Sequence, residues 1–139
     1  MKTTYENFII SSKFVGEKPA PWSDEIGRKN YNHNKVTVKN TDNGKSISFD
    51  FWCGLLRPEL ETESDLLDAF YCFVSDALLG WQSFVDFCNE MGYDSDSRKA
   101  EKIWKACEKN YNKFSNLTGY SLDMMYDFVN KLADISYTD

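Results

Sequence analysis

The sequence predicts an α+β fold: an N-terminal three-stranded antiparallel sheet packed against a C-terminal bundle of three to four helices. Three observations carry that expectation. Residues 1–58 alternate apolar and polar side chains around an Asn43-Gly44 turn, the period of a half-buried strand. Residues 59–139 instead repeat apolar side chains every three or four positions, punctuated by glycine and by Ser or Thr, as amphipathic helices do. The chain has 139 residues, 42% hydrophobic and 16% aromatic, which suits one domain over 1–139 with one core.

Taken in order, "NFIISSKFV" puts Phe8, Ile10, Ser12 and Phe14 on one side of a first strand. The segment 16–34 follows, long and turn-rich, and reads as an irregular loop. "KVTVKNTDNGKSISFDFW" then reads as a hairpin, because Asn43 and Gly44 both tolerate positive φ in a two-residue turn. Counting outward from that turn pairs Val38 with Phe49, Val36 with Phe51, Lys39 with Ser48 and Thr37 with Asp50. "GLLRPELETES" ends the sheet region. Thr62 or Ser64 caps the first helix, whose inner face is Leu66, Leu67, Phe70, Phe73, Val74, Ala77 and Leu78, and Gly80 stops it. Ser83 opens a short second helix, "SFVDFCNEM", with Asp86 three residues on, and Gly92 ends it. Asp94 to Ser97 supply a cap and an acidic first turn to a third helix running to about Phe114. Its stripe is Ala100, Ile103, Trp104, Cys107, Tyr111 and Phe114. After Gly119 and Ser121, "SLDMMYDFVNKLADI" forms a last helix burying Leu122, Met125, Phe128, Val129 and Leu132.

The residue types needed for common chemistry do not fall into place. Cys53, Cys72, Cys88 and Cys107 are widely spaced, and His33 is the single histidine, so paired zinc ligands at short spacing are missing. The cysteines read as small apolar core residues of a reducing compartment. "DSDSRK" fails as a calcium loop, since Arg98, Lys99 and Lys105 stand where an acid, a glycine and a glutamate are required. There is no GxxxxGK[ST] and no GxGxxG. No nucleophile has an evident base, so no enzyme and no cofactor is expected. The N-terminus lacks a signal peptide's apolar core, and no apolar run approaches the roughly 20 residues of a membrane helix. The expectation is therefore a cytoplasmic protein with no membrane association, for which the Asn116-Leu117-Thr118 sequon carries no meaning.

Charge is segregated along the chain, whose net charge is −6. Residues 59–96 hold ten acids and no Lys or Arg, while residues 97–113 carry a net +4. Ordinary surfaces mix signs more evenly. Glu59, Glu61, Glu63, Asp65, Asp68, Asp76, Asp86 and Glu90 are thus candidates for an acidic face that docks on a protein with a basic surface. Helix first turns also favour acids, which accounts for some of them structurally. Arg98, Lys102, Lys105, Lys109 and Lys113 recur every three or four residues, and a phosphate backbone could lie along them. Glu101 and Lys105 are an i,i+4 pair, the mark of an ordinary solvated face.

Within residues 86–114, Gly92, Tyr93, Asp94, Asp96, Ser97, Arg98, Lys99, Ala100, Glu101, Lys102 and Trp104 match a G-Y-D-[ST]-D-S-R-K-A-E-K-[IT]-[WY] pattern. This stretch resembles a family of small proteins from phages, prophages and mobile elements of gut Firmicutes. "LLDAFYCFVSDALLG" and "TTYENF" are similar to that family too. The resemblance carries over no catalytic residue. It implies a phage protein that binds host machinery, as anti-CRISPR and other anti-defence proteins do. The expected function is inhibition of a host defence complex, such as a CRISPR effector, through the acidic face. The alternative is a nucleic-acid-associated regulator using the basic stripe.

Overall fold

The computed structural model describes residues 1–19, 30–53, 60 and 62–138, with side chains to residue 135. It is α+β. Four strands come first: β1 (Lys2–Tyr5), β2 (Phe8–Pro19), β3 (Asn30–Asn40) and β4 (Ser46–Cys53). Four helices follow: α1 (Glu63–Leu79), α2 (Phe84–Met91), α3 (Arg98–Thr118) and α4 (Leu122–Thr138). The strands form one antiparallel sheet in the order β1-β2-β3-β4, each joined to its neighbour.

The sheet differs from expectation in three ways. Among the described residues it has four strands, not three. The extra one, β1, pairs Tyr5 with Phe8 and Thr3 with Ile10 across a tight turn in which Glu6 takes a φ of 51°. Segment 16–34 is not wholly a loop: β2 continues to Pro19 and β3 begins at Asn30, with a bulge between Phe14 and Gly16. The remainder of that segment, 20–29, lies outside the described residues, as do 54–58 of "GLLRP". The β3–β4 register is two residues from the predicted one. Val36 faces Phe49, Val38 faces Ile47 and Thr37 faces Ser48. The turn is longer than two residues, because Asn40 N–H reaches Lys45 O at 2.8 Å and Gly44 N–H folds back to Asn40 O at 2.8 Å. A shift of two keeps every side chain on its predicted face, since strand periodicity is two.

The helices are set by their ends. Thr62 caps α1 in a reciprocal box: its Oγ1 accepts from Asp65 N–H at 3.1 Å, and its own N–H donates to Asp65 Oδ2 at 3.0 Å. Ser83 Oγ accepts from Asp86 N–H at 3.2 Å to open α2. Ser97 Oγ accepts from Ala100 N–H at 3.1 Å to open α3. Asp94 and Asp96 therefore precede α3, and the acid of its first turn is Glu101, not the pair expected there. α3 also outruns Phe114 by a turn and buries Leu117 before Gly119 ends it at φ 70°.

One face of the sheet carries Phe8, Ile10, Val36, Val38 and Phe49 into a core completed by Leu66, Phe70, Phe73 and Val74 of α1, Phe114 of α3 and Phe128 of α4. Phe70 meets Phe8, Phe114 and Phe128 edge-on at ring distances of 5.6, 6.3 and 5.5 Å. Such edge contacts add about 0.5–1.5 kcal/mol each beyond burial. A second cluster, Phe87, Cys88 and Ala100, fixes α2 on α3. Polar atoms tie the turns to the helices. Buried Asn40 accepts from Asn7 Nδ2 at 2.8 Å and donates to Leu117 O at 3.0 Å, closing the end of α3 over both hairpin turns.

Candidate functional site

The predicted acidic residues are spread over two helices and put to different uses. Glu59 and Glu61 lie outside the described residues. Glu63, Asp65 and Asp68 sit in the first half of α1, whereas Asp86 and Glu90 sit on α2, which follows α1 in the chain. Glu90 borders a cavity together with Tyr71 and Ser75 from the middle of α1, so α2 folds back along that helix. Asp65 spends its carboxylate on the α1 cap. Asp76 turns toward α3, where it lines a groove with Lys99, Lys102, Lys109 and Lys113. It keeps an exposed edge, yet loss of water around its carboxyl raises its pKa.

What does gather is the α2 end. Asp86, Glu90, Asp94 and Asp96 are all exposed there. Beside them stand two large apolar side chains that the core does not take, Trp81 at 48% exposure and Val85 at 57%, whereas the exposed Met91 lines the lysine groove with Phe87. Trp81 and Glu90 also border a cavity of about 450 Å³ between α1 and α4, with Tyr71, Ser75, Gln82 and Tyr126. Two hydrogen bonds anchor α2 beneath this surface. Trp104 Nε1–H donates to Gln82 O at 3.0 Å, and Gln82 Nε2 donates to Glu90 Oε2 at 2.9 Å. The sequence marked the acids but not the apolar residues among them. Val85 and Met91 fall inside a helical pattern whose inner face, Phe87 and Cys88, becomes clear only once α2 is placed on α3.

The basic stripe is real as helix geometry but divides in use. At about 100° per residue, Arg98, Lys102, Lys105, Lys109 and Lys113 fall within one narrow sector of α3. Lys102, Lys109 and Lys113 line the groove of about 650 Å³ between α3 and β4, joined by Lys99, which the stripe omitted. Arg98 and Lys105 are not part of the lining. Lys105 pairs instead with Glu101 at 2.9 Å on the exposed surface. Lys113 bridges to the sheet, donating from Nζ to Ser48 O at 2.7 Å. Its ammonium pKa is lowered, chiefly by desolvation and then by Lys109.

Two of the cysteines are poorly placed to act as nucleophiles. Burial, with Asp68 and Asp76 nearby, pushes the Cys72 thiol up to about 11, and burial beside Asp76 does the same to Cys107. Such thiols stay protonated near neutral pH and are weak nucleophiles. His33 stacks on Trp52 at 4.3 Å, and its Nε2 lies 2.6 Å from Asp50 Oδ1. Among the described residues no group of three or more His, Cys, Asp or Glu could hold a metal ion. Among the same residues no helix is long and apolar enough to cross a membrane. No protein-family model matches the chain, and no curated protein or solved structure matches it either.

Proposed function

We propose that this chain is a non-enzymatic binding protein that docks α2 and its flanking turns onto a basic surface of another protein. In keeping with the phage-family resemblance, the partner we favour is a host defence complex such as a CRISPR effector, which the docked protein inhibits. One observation carries the reading: exposed Trp81 and Val85 stand among Asp86, Glu90, Asp94 and Asp96 in a stretch without Lys or Arg. Single exposed apolar residues are ordinary. An exposed aromatic anchor grouped beside like charges suits an interface, where the anchor holds the partner and the charges speed and select the encounter. A channel built for nucleic acid offers the complementary basic lining.

The test is titration of the full chain against purified CRISPR effector complexes, with target cleavage as the second readout. Binding is expected to weaken with salt and to fall about tenfold or more on Trp81→Ala, the kind of loss typical of an aromatic anchor. Joint replacement Asp86→Lys and Glu90→Lys should slow association with little change in melting temperature. Binding indifferent to all three substitutions would remove α2 as the docking surface.

A further inference from the structure

The strand alternation that buries Val36, Val38 and Phe49 sends the intervening residues to the sheet's outer face. On that face stand Lys2 of β1, Lys13 of β2, and Lys35 and Lys39 of β3. Hydroxyls fill the spaces between them, with Thr37 Oγ1 and Ser48 Oγ 3.1 Å apart. Among the described residues, the carboxylate at these outward positions is Asp50, which is engaged with His33 at 2.6 Å. Lys13 and Lys35 are direct cross-strand partners. Side chains so paired start about 5 Å apart, and like charges in that position destabilise a sheet.

This lysine surface does not stop at the sheet edge. Lys113 reaches from α3 to the Ser48 carbonyl on β4, and its ammonium feels both Lys35 on the sheet and Lys109 on its own helix. Lys109, Lys102 and Lys99 then continue along the α3 groove. The result is one band, Lys13–Lys35–Lys113–Lys109–Lys102–Lys99, crossing from the sheet face over the β4 edge onto α3. Asp50 and Asp76 are the carboxylates that border it among the described residues.

We propose that this band is a phosphate-backbone site that takes duplex DNA. Ammonium groups and hydroxyls at regular spacing are the donors that phosphate oxygens accept from. Proteins that hold single strands add open aromatic faces on which bases stack. Here the Trp52 ring is stacked on His33 at 4.3 Å and has the Lys18 ammonium 5.5 Å from its centroid. Phe49 is buried against Phe73 at 4.3 Å. Among the described residues, the Trp52 and Phe49 rings beside the band are thus engaged within the protein, so contact is to the backbone, independent of sequence. Met91 of α2 borders the groove, but the band uses none of the acidic residues proposed for docking and stands or falls without that proposal.

The experiment is fluorescence anisotropy of the full chain with a labelled duplex of about 20 base pairs, read from about 50 to about 200 mM salt. Binding is expected at the low-salt end, with affinity falling about a hundredfold or more across the range as counterion release dictates. Lys13→Glu and Lys109→Glu should each weaken it about tenfold and flatten the salt slope by about one contact. Lys105→Glu, off the band and paired with Glu101, should leave it unchanged. Circular dichroism confirms that each exposed-site variant is folded. No binding at low salt overturns the proposal, as does equal loss with Lys105→Glu. Tighter binding of a single strand, or competition by polyglutamate as effective as by DNA, assigns the band to a different ligand and also overturns it.

Discussion

Gly80 closes α1 where that helix meets α3. Its φ of −84° is right-handed, so any residue could adopt the backbone; the constraint is space. A Cβ at this position would run into the Cys107 carbonyl and the Glu108 nitrogen. Gly80→Ala must therefore push α1 and α3 apart, at a cost of about 1–3 kcal/mol or more. Gly92→Ala supplies the contrast. It has open space but a φ of 76°, so it costs only the left-handed strain of about 1–2 kcal/mol. Urea midpoints for both variants, with Cys107 alkylation as a probe of the opened α1–α3 contact, check this. A Gly80→Ala variant with unchanged midpoint and protected Cys107 would contradict it. From sequence, both glycines read as helix stops, and nothing in their neighbours separates a steric need from a conformational one. Other single residues were equally double-valued. Asp65 counted as a partner-facing acid, but its carboxylate holds the α1 cap.

At the scale of elements, caps were the most legible feature. Thr62, Ser83 and Ser97 each act as helix N-caps, because short hydroxyl side chains compete for the backbone N–H groups that a helix start leaves unpaired. Thr62→Ala should lower stability by about 1 kcal/mol and fray the first turn of α1. Asp65→Ala should cost less, since only one half of the reciprocal box is lost while Thr62 still caps. Urea titration followed by helical circular dichroism measures both, and a larger loss for Asp65→Ala would reverse the assignment. Strand faces were legible too, whereas strand ends and register were not. β1 has only four residues, and its partnership with β2 depends on a left-handed Glu6 that no turn motif announced. The start of β3 is polar, with Asn32 and Asn34 turned to the buried side, so alternation of hydrophobicity could not reveal it. Asn43-Gly44 did mark the β3–β4 turn, but hydrogen bonds of Asn40 and Asn43 to Leu117 O make a longer loop the better fit. That contact spans most of the chain and has no local signature.

For the whole molecule, the informative quantity is where charge lies and not its sum. The chain is net −6, yet the outer sheet face and the α3 groove are basic while the α2 end is acidic. A linear count of charge found the acidic block and the α3 lysines. It could not find the band, because Lys13, Lys35 and Lys113 are joined only by strand register and by the crossing of α3 over β4. The band predicts a conflict between stability and binding. Lys13 and Lys35 repel across the β2–β3 pair, so Lys13→Glu converts a like-charge pair to an opposite-charge pair. That exchange should stabilise the fold by about 0.2–1 kcal/mol, even as it weakens duplex binding. It also shifts the net charge of a molecule already at −6 by two units, removing one positive and adding one negative charge, so the gain must come from the local pair and not from the global field. Salt separates these contributions. Comparing urea midpoints at about 50 mM and about 500 mM salt should show the stabilisation at the lower concentration and much less at the higher one, where the Debye length is only a few ångströms. A variant less stable than the parent at low salt would mean that the two ammonium groups do not meet across the strands. The band would then have to be redrawn without its sheet half, leaving Lys99, Lys102, Lys109 and Lys113 as a groove on α3 alone.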